Sequence, residues 1–256
     1  MKIALNALGK FSLEVAEQNV AYSRSLGFPQ CEYSSGRPTL HVIGGGPSIL
    51  DRIEEIRALT GDIWAINGTA RWCREIGIDA AMFSCDPHVE NVKHAGHCIM
   101  ASCCFPEAFD AAKSVTVFDI NRPGGISTGP SSATAALLLG PMIGYSRIEF
   151  WGCDSSSKGK LRHAYSYPEA ERTPWKMRVE SNGEVFDTEA GLLLQAEFLS
   201  AAMRLAPEVY VNQSSGLLDA MVKSGDHNVI WVCDEMANSM SAITDDGKKW
   251  LEERAA

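Results

Sequence analysis

Short apolar runs, each stopped by a polar or glycine-rich turn, recur along most of the chain. The first, Leu40–Ile43, ends in Gly44-Gly45-Gly46-Pro47-Ser48 and is followed by Leu50, Ile53, Ile56 and Leu59 at the spacing of one helix face. Ile63–Ile66 ends at Asn67-Gly68, with a helix expected through Glu75, and Ala80–Ser84 ends at Cys85-Asp86-Pro87. Cys98–Ala101 leads into Ser102, and Val115–Phe118 ends at Asp119. A polar glycine loop, Asn121–Gly129, precedes an Ala/Leu-rich helix through about Leu139, and a sixth run, Ile148–Trp151, ends at Gly152-Cys153-Asp154. Strands alternating with helices predict right-handed crossovers and a parallel sheet. The strands are continuously apolar, as expected when helices cover both faces. The expected fold is therefore α/β, a Rossmann-like, mainly parallel sheet flanked by helices. Nearly every polar cluster follows a strand, so the clusters should converge at the carboxyl edge, where open α/β sheets bind ligands.

Two stretches depart from this rhythm. Residues Ser155–Asp187 are rich in Ser, Lys, Arg, Tyr and Pro, and read as a long lid (155–187) inserted after the sixth strand. A hairpin is expected in it at Ser181-Asn182-Gly183, between Met177–Glu180 and Glu184–Phe186. A helix over Thr188–Leu205, strands at Val209–Val211 and Val229–Cys233, and a terminal helix complete the chain. Residues 1–38 carry an amphipathic helix near Leu13–Leu26 and read as an N-terminal helical extension to a single domain, 39–256.

Composition narrows the function. A hydrophobic content of 45% in 256 residues is enough for a sizeable core. A net charge of −9 gives no support to a general nucleic-acid-binding surface, which leaves the Lys/Arg-rich stretch Lys158–Arg178 as the local place for a small anion. Of eight cysteines, Cys73, Cys85, Cys98, Cys153 and Cys233 sit in or beside apolar runs, and Cys103-Cys104 lacks the gap of a zinc knuckle. These features, with no secretory segment and no apolar run long enough to span a membrane, predict reduced thiols and a cytoplasmic protein.

The glycine cluster Gly44–Ser48 can let a backbone approach a phosphate or ribose, or can be an ordinary tight turn; it is neither a P-loop nor G-x-G-x-x-G. Gly124-Gly125-Ile126-Ser127-Thr128-Gly129 is a second such loop, whose hydroxyls can face phosphate oxygens or cap the helix that follows. Asp86 and Asp154 end strands, where a carboxylate can hold Mg²⁺, bond a ribose hydroxyl or cap a helix. His88 and His163 can each be a site residue or a solvated loop residue, and His94 and His97 lack a third metal ligand nearby.

Taken in order, Gly44–Ser48, Ala65-Ile66-Asn67-Gly68, Ser84-Cys85-Asp86-Pro87, Gly125–Gly129 and Gly144–Asp154 resemble the MptE-like superfamily. That group is named for an archaeal 6-hydroxymethylpterin diphosphokinase and includes motility accessory factors; the motifs are also similar to those of bacterial CMP-sialic acid-dependent sialyltransferases. The resemblance spans Leu40 to Tyr165. The sialyltransferase pattern implies that Gly44, Gly45, Gly46, Pro47, Ser48 and Asn67 contact the donor's nucleotide, and the donor expected of such a transferase is a CMP- or UDP-linked sugar. It also implies that Ser127, Thr128 and Gly129 lie beside that nucleotide, that Asp154 lies near the ribose or donor sugar, and that His163 is the general base. The diphosphokinase pattern implies ATP with Mg²⁺ on Asp86. A catalytically silent nucleotide-binding module is the third reading. The acceptor stays open between a glycan, a protein side chain, a modified base and a metabolite, and so does the oligomeric state.

Overall fold

The computed structural model describes residues 13–120, 129–166 and 177–233. The six apolar runs form β1 (Leu40–Ile43), β2 (Asp62–Ile66), β3 (Ala81–Ser84), β4 (Cys98–Ala101), β5 (Val115–Phe118) and β6 (Ile148–Trp151). They are followed by β7 (Met177–Ser181), β8 (Glu184–Thr188), β9 (Tyr210–Asn212) and β10 (Asn228–Val232). The helices are α1 (Leu13–Ser25), α2 (Ile53–Arg57), α3 (Thr69–Glu75), α4 (Val89–His94), α5 (Pro106–Ala111), α6 (Ser132–Met142), α7 (Ala190–Leu205) and α8 (Gly216–Ser224).

Seven strands form one sheet in the order β5-β4-β3-β2-β1-β6-β9, and every pairing in it is parallel. The chain winds outward from β1 to β5, then returns to the other side of β1 as β6. The reversal puts the ends of β1 and β6 side by side, at the point where such sheets open to ligands. Both neighbours cover β1, whose Leu40, Val42 and Ile43 are fully buried.

Helix α6 shows how small residues set the spacing over this strand. Ala133, Ala135 and Ala136 are buried, and a β-carbon on Gly140 would lie 2.4 Å from Ile148 Cδ1. Ser131 caps the helix through a reciprocal pair with Thr134. The cap is therefore not drawn from Ser127 or Thr128, both of which lie outside the described residues. Helix α1 contributes Ala16 and Val20 to the main core, and the segment after it bonds β5 through Cys31 N to Val117 O (2.8 Å).

The expected hairpin forms, turning through Asn182 and Gly183, both at positive φ. The lid, however, is not one unit. Strands β7 and β8 join β10 in an antiparallel sheet of order β10-β7-β8, with its own core of Met177, Val179, Leu193, Ala196, Leu217 and Met221. The polar surfaces of β7 alternate with its buried residues because only one face meets α7 and α8. Helix α8 was not anticipated from the sequence, and the expected terminal helix lies outside the described residues. No helix among the described residues is long and apolar enough to cross a membrane.

Candidate functional site

The glycine loop leaves β1 and immediately locks onto the end of β6. Gly44 N donates to Trp151 O and Gly46 N to Gly152 O, each at 2.7 Å. A β-carbon on Gly44 would stand 2.5 Å from Gly152 O; one on Gly46 would stand 2.6 Å from the same oxygen and 2.7 Å from the Asp154 carboxylate. Two of the three glycines are thus required by backbone packing between strands. The third is different. The three atoms nearest to a β-carbon on Gly45 all belong to side chains: Tyr165 Oη at 2.7 Å, with His163 Nδ1 and Thr69 Oγ1 at 3.2 Å. The helix predicted after the loop begins as a six-residue 3-10 turn, Pro47–Arg52, before the five residues of α2. It is too short and irregular to carry much of a helix dipole, so any anion here would depend on loop donors and side chains.

Asp154 is the latch of this corner. It accepts from Ser48 N (2.8 Å), from Ser48 Oγ (2.5 Å) and from Ser215 N (3.2 Å), which ties the β1 loop to the start of α8. Ser155, the next residue, has φ 57°, in the left-handed region, and Leu217 N at the start of α8 donates to Ser156 Oγ at 3.0 Å. Burial is the larger influence on Asp154 and raises its pKa, against the lowering effect of the Ser48 and Ser215 bonds and of Lys158. A folded pKa above the unfolded one means the folded chain holds this proton more tightly. The contribution of Asp154 to stability therefore falls as pH rises through that window. Asp154→Asn should cost about 2 kcal/mol by replacing one accepting oxygen with a donor. Its deficit against the wild type should shrink as pH is raised from the ordinary carboxylate range. Urea denaturation across pH checks this; a deficit that grows with pH would contradict it.

The first part of the lid, to Tyr165, folds onto Gly45. Ala164 N donates to Gly45 O (2.9 Å), the rings of His163 and Tyr165 stack with centroids 5.6 Å apart, and Tyr165 Oη lies 3.3 Å from Thr69 Oγ1. Asn67, at φ 49°, sits in the left-handed region that asparagine tolerates. Its Oδ1 accepts from Ser84 Oγ, which in turn accepts from Asp86 N at 3.2 Å. Gly129, at φ 62°, packs on Thr134 at the start of α6.

The structure therefore brings Gly45, Asn67 and His163 to one edge, with Thr69 and Tyr165 as additions the sequence analysis did not single out. Their signal was proximity in sequence: Thr69 follows Asn67-Gly68, and Tyr165 follows His163. Pro47 and Ser48 are buried beneath the loop. Asp86 is exposed at the end of β3, three strands from Asp154 on β6, a span of about 14 Å at ordinary strand spacing. These two carboxylates do not share one ion, and no group of three potential metal ligands occurs among the described residues. Of the basic stretch, Lys158 pairs with Asp51, and Arg178 pairs with Asp187 (3.0 Å) on the second sheet. Burial raises the pKa of the Cys153 thiol, to about 12.

Among the described residues, cavities lie both beside this corner and far from it. One of about 370 Å³ lies beside Asp154, Ser156, Lys158, Phe186 and Gly216. A larger one, about 620 Å³, lies at the opposite, amino edge, against Asp62, Ala81, His97 and Tyr145. None of the glycine-loop residues lines either cavity. The glycine corner lies instead at the reversal of strand order, where open α/β sheets bind ligands.

Fold and site together define a Rossmann-like α/β protein with a glycine-lined corner at its strand-order reversal. The MAf glycosyltransferase from Magnetospirillum magneticum AMB-1 shares this fold, with a TM-score of 0.56 and 20% sequence identity over 79% of this chain. The match covers 36% of that protein, so this chain spans little more than a third of its length. No family model matches the chain, and no curated protein does.

Proposed function

We propose that the protein is a nucleotide-dependent transferase, in particular a glycosyltransferase that moves a sugar from a CMP- or UDP-linked donor to an acceptor hydroxyl. The observation that carries this reading is the closure of the His163–Tyr165 arm over Gly45 at the strand-order reversal. An ionisable ring, a glycine floor and the hydroxyl of Thr69 meet there, within a fold that a solved glycosyltransferase shares. The motif resemblance over Leu40–Tyr165 points the same way. The donor nucleotide would lie along Gly45, Asn67 and Ser127–Gly129. His163 would take the acceptor proton, and the arm would keep water from the donor. Asp154, held by three donors, would act by fixing the loop. The rival reading, pyrophosphoryl transfer from ATP with Mg²⁺ on Asp86, would use the end of β3 instead and differs in its metal dependence.

A thermal-shift panel of CMP, CDP, UDP, GDP, ADP and ATP, each with Mg²⁺ and with EDTA, tests the proposal. A ligand at about 100 times its dissociation constant adds about 2.7 kcal/mol of stability, a plain shift. Stabilisation by CMP or UDP that survives EDTA is expected. Selective stabilisation by Mg²⁺-ATP would favour pyrophosphoryl transfer, and no shift with any nucleotide would refute both. Gly45→Val should weaken binding of the stabilising nucleotide at least tenfold by calorimetry, the equivalent of about 1.4 kcal/mol, since its side chain would fill the floor.

A further inference from the structure

One feature of the corner is unexplained by a base and a glycine loop: the position of the Tyr165 hydroxyl. It lies over two glycines from two different loops. The ideal β-carbon of Gly45 would be 2.7 Å from Oη and that of Gly68 3.2 Å from it. Thr69 Oγ1 stands 3.3 Å away on the third side. Any side chain at Gly45 would evict this oxygen, and one at Gly68 would crowd it. The ring is held from behind by His163, and the backbone is pinned by the Ala164–Gly45 bond. An oxygen in a two-glycine cradle with a hydroxyl partner is the environment that an oxygen of a ligand would need in the same place.

We infer that the Tyr165 hydroxyl occupies a ligand-oxygen subsite formed by Gly45, Gly68 and Thr69, and that a phosphate oxygen or sugar hydroxyl of the donor displaces it on binding. The inference rests on the reading of this corner as a nucleotide site and adds the subsite and its occupant. Tyr165 is then a self-ligand. The free chain spends most of its time with the subsite filled, and apparent affinity is lowered by the fraction of time it is open. Because His163 stacks on the same ring, displacement of Tyr165 also moves the proposed base, so donor binding and base placement become one event.

The test is calorimetric titration of CMP, UDP and ADP, and of cytidine, uridine and adenosine, into the wild type, Tyr165→Phe and Tyr165→Ala. Tyr165→Phe keeps the ring and its stack on His163 but removes the hydroxyl and its bond to Thr69. Loss of one such bond should tighten nucleotide binding about fivefold, and Tyr165→Ala should tighten it further. Tightening confined to the nucleotides assigns the subsite to a phosphate oxygen; tightening shared by the nucleosides assigns it to a ribose hydroxyl. Either supports displacement. Affinity that is unchanged or weaker in folded Tyr165→Phe overturns it while leaving nucleotide binding intact. If the wild type and both variants bind none of the six compounds, the nucleotide reading itself fails and this inference falls with it.

Discussion

Gly46→Ala is expected to lose about 3 kcal/mol of stability or more, seen as a fall in Tm of about 6–12 °C for a chain of this size. Conformation is not the reason. Gly46 has φ −67° and ψ 153°, which any residue adopts. The reason is contact: its new methyl would sit 2.6 Å from Gly152 O and 2.7 Å from the Asp154 carboxylate. Neither can yield. Gly152 O already accepts from Gly46 N, and Asp154 is held by Ser48 and Ser215. Gly45→Ala is the internal control, because its methyl meets the tip of a tyrosine that can swing, so it should cost within about 1 kcal/mol. Differential scanning calorimetry of the two variants decides the matter. Equal losses would mean that the interlock between the β1 and β6 loops is not what the first and third glycines serve.

The second large effect falls on activity. Under the proposed function, His163→Ala should lower the rate of sugar transfer about 100- to 10,000-fold without weakening nucleotide binding. An acceptor hydroxyl holds its proton too tightly to attack unaided at neutral pH, and a positioned imidazole removes it as the new bond forms. His163 suits the role because the Ala164–Gly45 bond fixes its backbone and Tyr165 stacks on its ring. His163→Gln keeps hydrogen-bonding capacity without a base and should be nearly as slow. Residual activity of both variants should also lack the fall on acidification that comes from protonating an imidazole. Single-turnover transfer measured across pH, beside calorimetry with the same nucleotide, separates the cases. Full activity in His163→Ala removes the residue from the chemistry, and parallel loss of affinity makes it a binding group instead.

The strands that build the site were legible because each is a continuous apolar run bounded by breakers, and burial on both faces demands that pattern. Leu40–Ile43 and Ile148–Trp151 needed no further information. The Asn-Gly turn at 182–183 was legible for an equally local reason, since its positive φ angles restrict the residues that fit. Helix α8 was missed. Its apolar residues, Leu217, Leu218 and Met221, span little more than one turn, and its start is held by Ser156 from 61 residues earlier. The partnership of β10 with the hairpin was equally invisible, because pairing between distant strands leaves no mark on either alone.

The same division runs through the candidate site. Local sequence determined where the glycines, Asn67, Asp154 and His163 fall relative to strand ends, and the parallel sheet then placed those ends on one edge. Only the tertiary structure decided what each glycine is for. Gly44 and Gly46 are packed against the backbone of β6, whereas Gly45 faces the His163–Tyr165 arm. It also decided that Asp154 spends its oxygens on Ser48 and Ser215, and that Tyr165 rests on Gly68 and Thr69. The physical reason is range. Propensity, turn chemistry and burial pattern act over a few residues and are written into them. A clash with a carbonyl or a hydroxyl in a glycine cradle depends on atoms about a hundred positions away in the chain, which meet only when the sheet has formed.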